Sequence, residues 1–133
     1  SPLDFLSRLV EGEVLRRKDH STQRRIQAAR FPVRKTLEQF NWTWPRKINR
    51  AQVQNLFRLT FPKDKANVIF MGGVGLGKTH LAAALAYDAC LEGYTALHTT
   101  AIDIVNTLVA AQSTHRLKAE LKKYLSPQIL LID

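Results

Sequence analysis

Gly72-Gly73-Val74-Gly75-Leu76-Gly77-Lys78-Thr79 decides how this chain is read. The eight residues match G-x-x-x-x-G-K-[ST]. They lie between a short apolar run, Asn67-Val68-Ile69-Phe70-Met71, and an almost uncharged stretch from residue 79 to 91. That order predicts a strand buried on both faces, a glycine loop and a buried helix in succession. Four of the six glycines fall inside the motif. Glycine lets the loop wrap so closely that successive backbone N–H groups point at one phosphate, and the start of the helix adds partial positive charge. Lys78 is then placed to reach the β and γ phosphates of ATP, and the Thr79 hydroxyl to bind Mg2+, a small hard cation that prefers oxygen. With ordinary residue usage a chance match arises about once in several hundred chains of this length, so a plain glycine-rich turn is the weaker reading.

Downstream, Ile129-Leu130-Leu131-Ile132-Asp133 reads as a buried strand ending in an acid. Open α/β sheets bind their ligands at that edge, so Asp133 is a second candidate for Mg2+, through water. Between the two motifs the alternation continues. Gly93 caps the helix that follows the loop, Thr95 to Thr99 forms a strand, and Thr100-Ala101-Ile102-Asp103 starts a helix carrying Ile104, Val105, Leu108 and Val109. A further helix runs from Thr114 to about Leu125, with Leu117, Leu121 and Leu125 on one face, and stops at Ser126-Pro127. Strands alternating with helices indicate an α/β unit with a parallel sheet.

Upstream the pattern is helical and basic. Leu3, Leu6, Val10 and Val14, widened by Phe5 and Leu9, give an amphipathic helix over residues 3 to 18. A second, short basic helix then ends near Phe31-Pro32. Phe40, Trp42 and Trp44 alternate with polar residues before Pro45, as in an extended segment laid on a surface. Asn49 caps a helix with Val53, Leu56 and Phe57, and Phe61-Pro62-Lys63-Asp64-Lys65 makes a turn. Two regions result: a basic N-terminal helical region, residues 1–65, and the N-terminal part of a P-loop domain, residues 66–133.

The chain has 133 residues with 45% hydrophobic and 23% charged, which excludes wholesale disorder and low-complexity repeats. Its longest runs without Asp, Glu, Lys or Arg have twelve residues, too short for a membrane span of about 20. It opens without a signal-peptide pattern and has one cysteine, Cys90, read as a small hydrophobe. A cytoplasmic setting is therefore expected, and Asn41-Trp42-Thr43 is an idle glycosylation match. The net charge of +9 is wholly N-terminal: residues 1–66 hold fifteen basic and six acidic side chains, residues 67–133 five of each. Such asymmetry points to a polyanion, because basic groups that neutralise phosphates release counterions. Arg17, Lys18, Arg24, Arg25, Arg30, Arg34 and Lys35 are the candidates for its phosphate contacts, with a solvated basic face as the plainer alternative, and no base-reading signature accompanies them. His20, His98 and His115 are too scattered for a metal site.

The chain resembles the IstB-like ATP-binding proteins, transposition helpers of bacterial insertion sequences, and more distantly the DnaC-type helicase loaders. Besides the P-loop, the resemblance rests on Leu3-Asp4-Phe5-Leu6, Ala28-Ala29-Arg30-Phe31-Pro32, Lys35-Thr36-Leu37-Glu38, Phe40-Asn41, Gly77-Lys78-Thr79-His80-Leu81-Ala82 and Leu130-Leu131-Ile132-Asp133. It implies an AAA+ ATPase with an N-terminal helical region, which assembles with ATP on double-stranded DNA as a homo-oligomer and delivers target DNA to an IstA-like transposase. It also implies that the nucleotide loop extends to His80, whose ring is read as packing or loop support, and that Lys78 and Asp133 carry the catalytic role. Phe40 and its neighbours border the adenine pocket in this reading. Packing of Trp42 and Trp44 on the core outweighs stacking on bases.

In the AAA+ sheet a further strand lies between the P-loop strand and the acid-ending strand and follows both in sequence. That strand, the catalytic Glu after the acid, the sensor, the arginine finger and the lid all fall beyond Asp133. The chain is therefore expected to be a fragment of a protein of about 250 residues, near the upper size of one domain; the intact protein is expected to be an ATPase, and the fragment to bind ATP but hydrolyse it poorly. The alternatives are a replicative helicase loader with a helicase as partner, a P-loop small-molecule kinase, which needs an acceptor pocket and seldom carries so basic an N-terminal half, and a docking module with a vestigial nucleotide site.

Overall fold

The computed structural model describes residues 1–43 and 48–133, so Trp44 and Pro45 of the aromatic segment lie outside the described residues. Helix α1 spans Pro2–Ala29. Ser1 caps it by accepting from the Asp4 N–H at 3.2 Å, and Pro2 occupies the first turn, where its missing N–H costs nothing. The two N-terminal helices expected from the sequence are thus one. Nothing from Glu13 to Ala29 is glycine or proline, and the break comes only at Arg30, which turns left-handed (φ 58°) before Phe31-Pro32. Ile26 and Ala29 are buried, whereas Leu3, Phe5, Leu6, Leu9, Val10 and Val14 remain exposed.

A short 3₁₀ turn, Leu37–Gln39, leads to the buried Phe40. Helix α2 spans Arg50–Leu56 and is capped by the Asn49 side chain, which accepts from the Gln52 N–H at 3.1 Å. Helix α3, Lys78–Leu91, follows the glycine loop and is the spine of the molecule. Every residue from Leu81 to Ala86 is buried, as are Ala89 and Cys90. Ala86 and Cys90 pack with Ile26 and Ala29 of α1, Leu81 with Phe40 and Val53, and Leu85 and Ala89 with Leu59. Each leucine removed from water stabilises by about 1.5 to 3 kcal/mol, and the alanines let the neighbouring backbones approach. Gly93, at φ 104°, ends the helix, and Tyr94 N–H closes on the Ala89 carbonyl at 2.9 Å.

Strand β1, Ala96–Thr99, pairs in parallel with β2, Ile129–Ile132, in the register Ala96 with Ile129 and Thr99 with Ile132. The crossover holds α4, Ala101–Ser113, capped by Thr100, and α5, Leu117–Leu125. The described residues therefore form a mixed helix and strand unit around a two-stranded parallel sheet. None of their helices is long and apolar enough to cross a membrane.

Two sequence expectations need correction. Residues 67–71 form no strand ladder, and the segment is buried on one side only: Val68 and Phe70 turn inward while Ile69 and Met71 are 79% and 88% exposed. Strand β2 is likewise half-buried, with Ile132 exposed. The cause is common to both. Between residues 66–70 and β2 lies a cleft of about 680 Å³, lined by Phe61, Phe70, Leu85, Ile129 and Leu131 among others, so neither backbone edge has a neighbour there.

Candidate functional site

The glycine loop turns on two residues in the left-handed region, Gly75 (φ 80°) and Gly77 (φ 88°). Gly77 has a second reason to lack a side chain, because a Cβ there would stand 2.6 Å from the Phe40 ring. No side chain caps the first turn of α3. The Lys78 ammonium folds back over the loop, donating to the Gly73 carbonyl at 2.7 Å and to that of Gly72. Val74 and its neighbours at the loop tip are exposed.

The strands bring the second half of the site. Ile129 and Leu131 face the core that contains α3, so alternation points Asp133 the same way. Its backbone is fixed by β1: Asp133 N–H donates to the Thr99 carbonyl at 2.9 Å, and Ala101 N–H donates to the Asp133 carbonyl at 3.3 Å. The carboxylate meets the Thr79 hydroxyl, with oxygen separations of 3.0 and 3.3 Å, across 54 positions of sequence. One hydroxyl and one carboxylate, both oxygen donors, suit Mg2+ better than a softer metal.

His80 faces away from this cluster. Its Nε2 lies 3.0 Å from the Thr36 carbonyl, and its ring meets Phe40 edge-on at 5.3 Å. Phe40 in turn meets Trp42 at 4.9 Å, and the Arg50 guanidinium sits 4.8 Å over Trp42. A second cleft, of about 640 Å³, opens from Lys78 and Leu76 toward Asn49, Gln52, Val53 and Leu56 of the α2 region. Further along α3, burial pushes the Asp88 carboxyl above its ordinary range, helped by Glu38 and Glu92, and burial also raises the Cys90 thiol, which leaves it a poor nucleophile.

The model of the IstB-like ATP binding protein family matches residues 1–133, the full chain. The chain belongs to that family. It is 35% identical over 130 residues to the "Insertion sequence IS5376 putative ATP-binding protein" of Geobacillus stearothermophilus, a match covering 98% of this chain and 52% of that protein. The "Insertion sequence IS21 putative ATP-binding protein" of Pseudomonas aeruginosa is also 35% identical over 130 residues, covering 98% of this chain and 49% of its own length. The chain thus spans about half the length of these curated relatives.

The basic residues separate into two groups. Arg17, Lys18 and Arg24 are exposed on α1, and Arg30, Arg34 and Lys35 are exposed just after it. Arg17 shares Glu13 with Arg16, which holds the Glu13 carboxyl below its ordinary range. Arg25 is half-buried and spent inside the protein: Nε donates to the Cys90 carbonyl at 3.1 Å, and the two terminal nitrogens to Ser21 and Thr22 at 2.8 and 2.9 Å. Sequence reasoning set Arg25 beside the others because a count of charges carries no direction. It also passed over His98, which β1 brings to 3.6 Å from Asp133. Only the strand register, not the spacing of histidines, reveals that neighbour.

Proposed function

We propose that this chain carries the nucleotide-binding part of an IstB-like AAA+ protein that binds ATP with Mg2+, assembles on double-stranded DNA as an ATP-dependent oligomer, and assists a transposase. One observation carries the nucleotide site: Thr79, at the end of the glycine loop, and Asp133, at the end of β2, meet at hydrogen-bond distance. Backbone amides of residues 72–79 would bind the phosphates, Lys78 would exchange its loop carbonyls for phosphate oxygens, and Thr79 directly and Asp133 through water would hold the metal. Mg2+ held there would supply positive charge against the phosphates. His80 acts through packing, by fixing the start of α3 against the 3₁₀ turn. Hydrolysis belongs to the intact protein. The open cleft between residues 66–70 and β2 supports the AAA+ reading, because it offers two unpaired edges to a further strand.

The exposed side chains of Arg17, Lys18, Arg24, Arg30, Arg34 and Lys35 form the DNA-facing set, binding phosphates without reading bases. The insertion-sequence names of the relatives favour a transposase over a helicase as the partner. The test is calorimetric titration of ATP into the wild-type protein and Lys78→Ala. A charged hydrogen bond contributes about 1.5 to 3 kcal/mol, so the variant binds about 10- to 100-fold more weakly. Equal affinity in the two proteins removes the phosphate role of the loop.

A further inference from the structure

Among the described residues one buried side-chain polar atom has no hydrogen-bond partner, and it is Nε2 of His98. The side chain is 10% exposed. Alternation along β1 puts His98 on the same face as Ala96, which packs into the core with Ala86 and Cys90 of α3. In the parallel register His98 is opposite Leu131, and Asp133 lies two residues further along the same face of β2. Nε2 thus stands 3.6 Å from Asp133 Oδ2, just beyond hydrogen-bond distance, while the carboxylate is engaged with the Thr79 hydroxyl. A buried nitrogen left unpaired costs about 1 to 3 kcal/mol, a cost that leucine at this position avoids.

We propose that His98 is a positioning residue for Asp133. When nucleotide and Mg2+ engage the Thr79 hydroxyl, the Asp133 carboxylate loses the donor now shared between Oδ1 at 3.0 Å and Oδ2 at 3.3 Å. The His98 Nε2–H then donates to Oδ2, after a shift of about 0.7 Å into the normal range. That bond sets the carboxylate's rotation and leaves Oδ1 facing the metal site, where Asp133 acts through water. Groups that orient a metal-holding carboxylate in this way are worth about 10- to 100-fold in metal affinity. The inference rests on the nucleotide site proposed above, and its test separates the two.

The experiment titrates ATP, with excess Mg2+ and again with a chelator, into the full-length protein as wild type, Lys78→Ala, His98→Leu and His98→Gln. Leucine keeps the volume and removes the donor, whereas glutamine restores an N–H at the same reach. The expected result is a loss of about tenfold in Mg2+-dependent affinity for His98→Leu, unchanged affinity in chelator, and recovery of most of the loss in His98→Gln. Equal affinity of His98→Leu and wild type in both conditions overturns the inference, as does an equal loss in both or a folded glutamine variant with no recovery. Should leucine prevent folding, His98→Met is read by the same criteria. If Lys78→Ala binds ATP as tightly as wild type, the nucleotide site itself fails and His98 falls with it. If Lys78→Ala loses binding while His98→Leu keeps the full Mg2+ effect, only the role of His98 fails.

Discussion

Gly77→Ala tests whether the N-terminal segment presses on the glycine loop. Two costs add. The backbone at φ 88° is left-handed, which costs an alanine about 1 to 2 kcal/mol. The new Cβ also lies 2.6 Å from the Phe40 ring, well inside contact distance, and the ring cannot swing freely because Trp42 and His80 flank it at 4.9 and 5.3 Å. Overpacking of this kind costs about 1 to 3 kcal/mol. The sum, about 2 to 5 kcal/mol, is a large fraction of a domain's stability and lowers the melting temperature by about 10 °C. Phe40→Ala separates the two costs. In that background the clash is gone, and Gly77→Ala costs only the backbone part, so the double-mutant cycle shows a coupling of about 1 to 3 kcal/mol. Thermal or urea unfolding of the four proteins reads it. Additive effects within about 0.5 kcal/mol refute the contact between Phe40 and the loop.

Arg25→Met keeps the side-chain stem and removes the donors that tie α1 to the end of α3. The Cys90 carbonyl retains the Gly93 N–H at 3.2 Å, and the site is half-buried, so the loss is about 1 to 2 kcal/mol in unfolding free energy. DNA retention stays as in wild type, and a fall in retention without a fall in melting temperature contradicts the internal role. Asp88→Asn reports on burial along α3. The folded-state carboxyl is raised above its ordinary value of 3.8, so its ionised form is the disfavoured one, and stability declines as pH rises through the folded-state value. The asparagine variant accordingly melts higher than wild type at neutral pH, and the gain vanishes below pH 3.8, where both states of the wild-type carboxyl are protonated. A gain that persists in acid means that Asp88 acts other than through its charge.

The parts of the site that are legible in sequence are those whose chemistry is local. The loop needs glycines at fixed offsets, and Gly75 and Gly77 do occupy left-handed conformations. Asn49 and Thr100 start their helices and Gly93 ends α3 as capping chemistry demands. An acid at the end of a parallel strand is placed at the sheet edge where the loop-bearing helix begins, and Asp133 reaches Thr79. What stays hidden depends on direction or on a missing neighbour. Charge counting cannot say that Arg25 points into the core while Arg24 points out. The apolar run 67–71 has the composition of a central strand, yet a strand is defined by its hydrogen-bonding neighbours, and the cleft beside β2 supplies none. A helix boundary near residue 18 rests on the change to a basic stretch, which does not end a helix; Arg30 and the Phe31-Pro32 step do.

The absence of a ladder beside residues 66–71 also bears on what holds the site together. In an open α/β sheet the strand before the loop is expected to fix the loop relative to the acid-bearing strand, through hydrogen bonds passed from one strand to the next. In this chain, which spans about half the length of its relatives, no strand fills the cleft between residues 66–70 and β2, and the Thr79 and Asp133 oxygens stand 3.0 Å apart without it. The link runs through α3. Its buried side packs on Ala96 and Ile129 below and on Ile26 and Ala29 of α1 behind, so β1, β2 and α1 are all referred to one helix whose first turn carries Lys78 and Thr79. On the other side Phe40 and the Thr36 carbonyl brace the same turn through Gly77 and His80. The basic residues 30 to 35 thus enter the site's support one residue before Thr36. The first turn of α3 and the segment that carries Arg34 and Lys35 are thus in direct contact, through His80 and the Thr36 carbonyl, without the sheet between them.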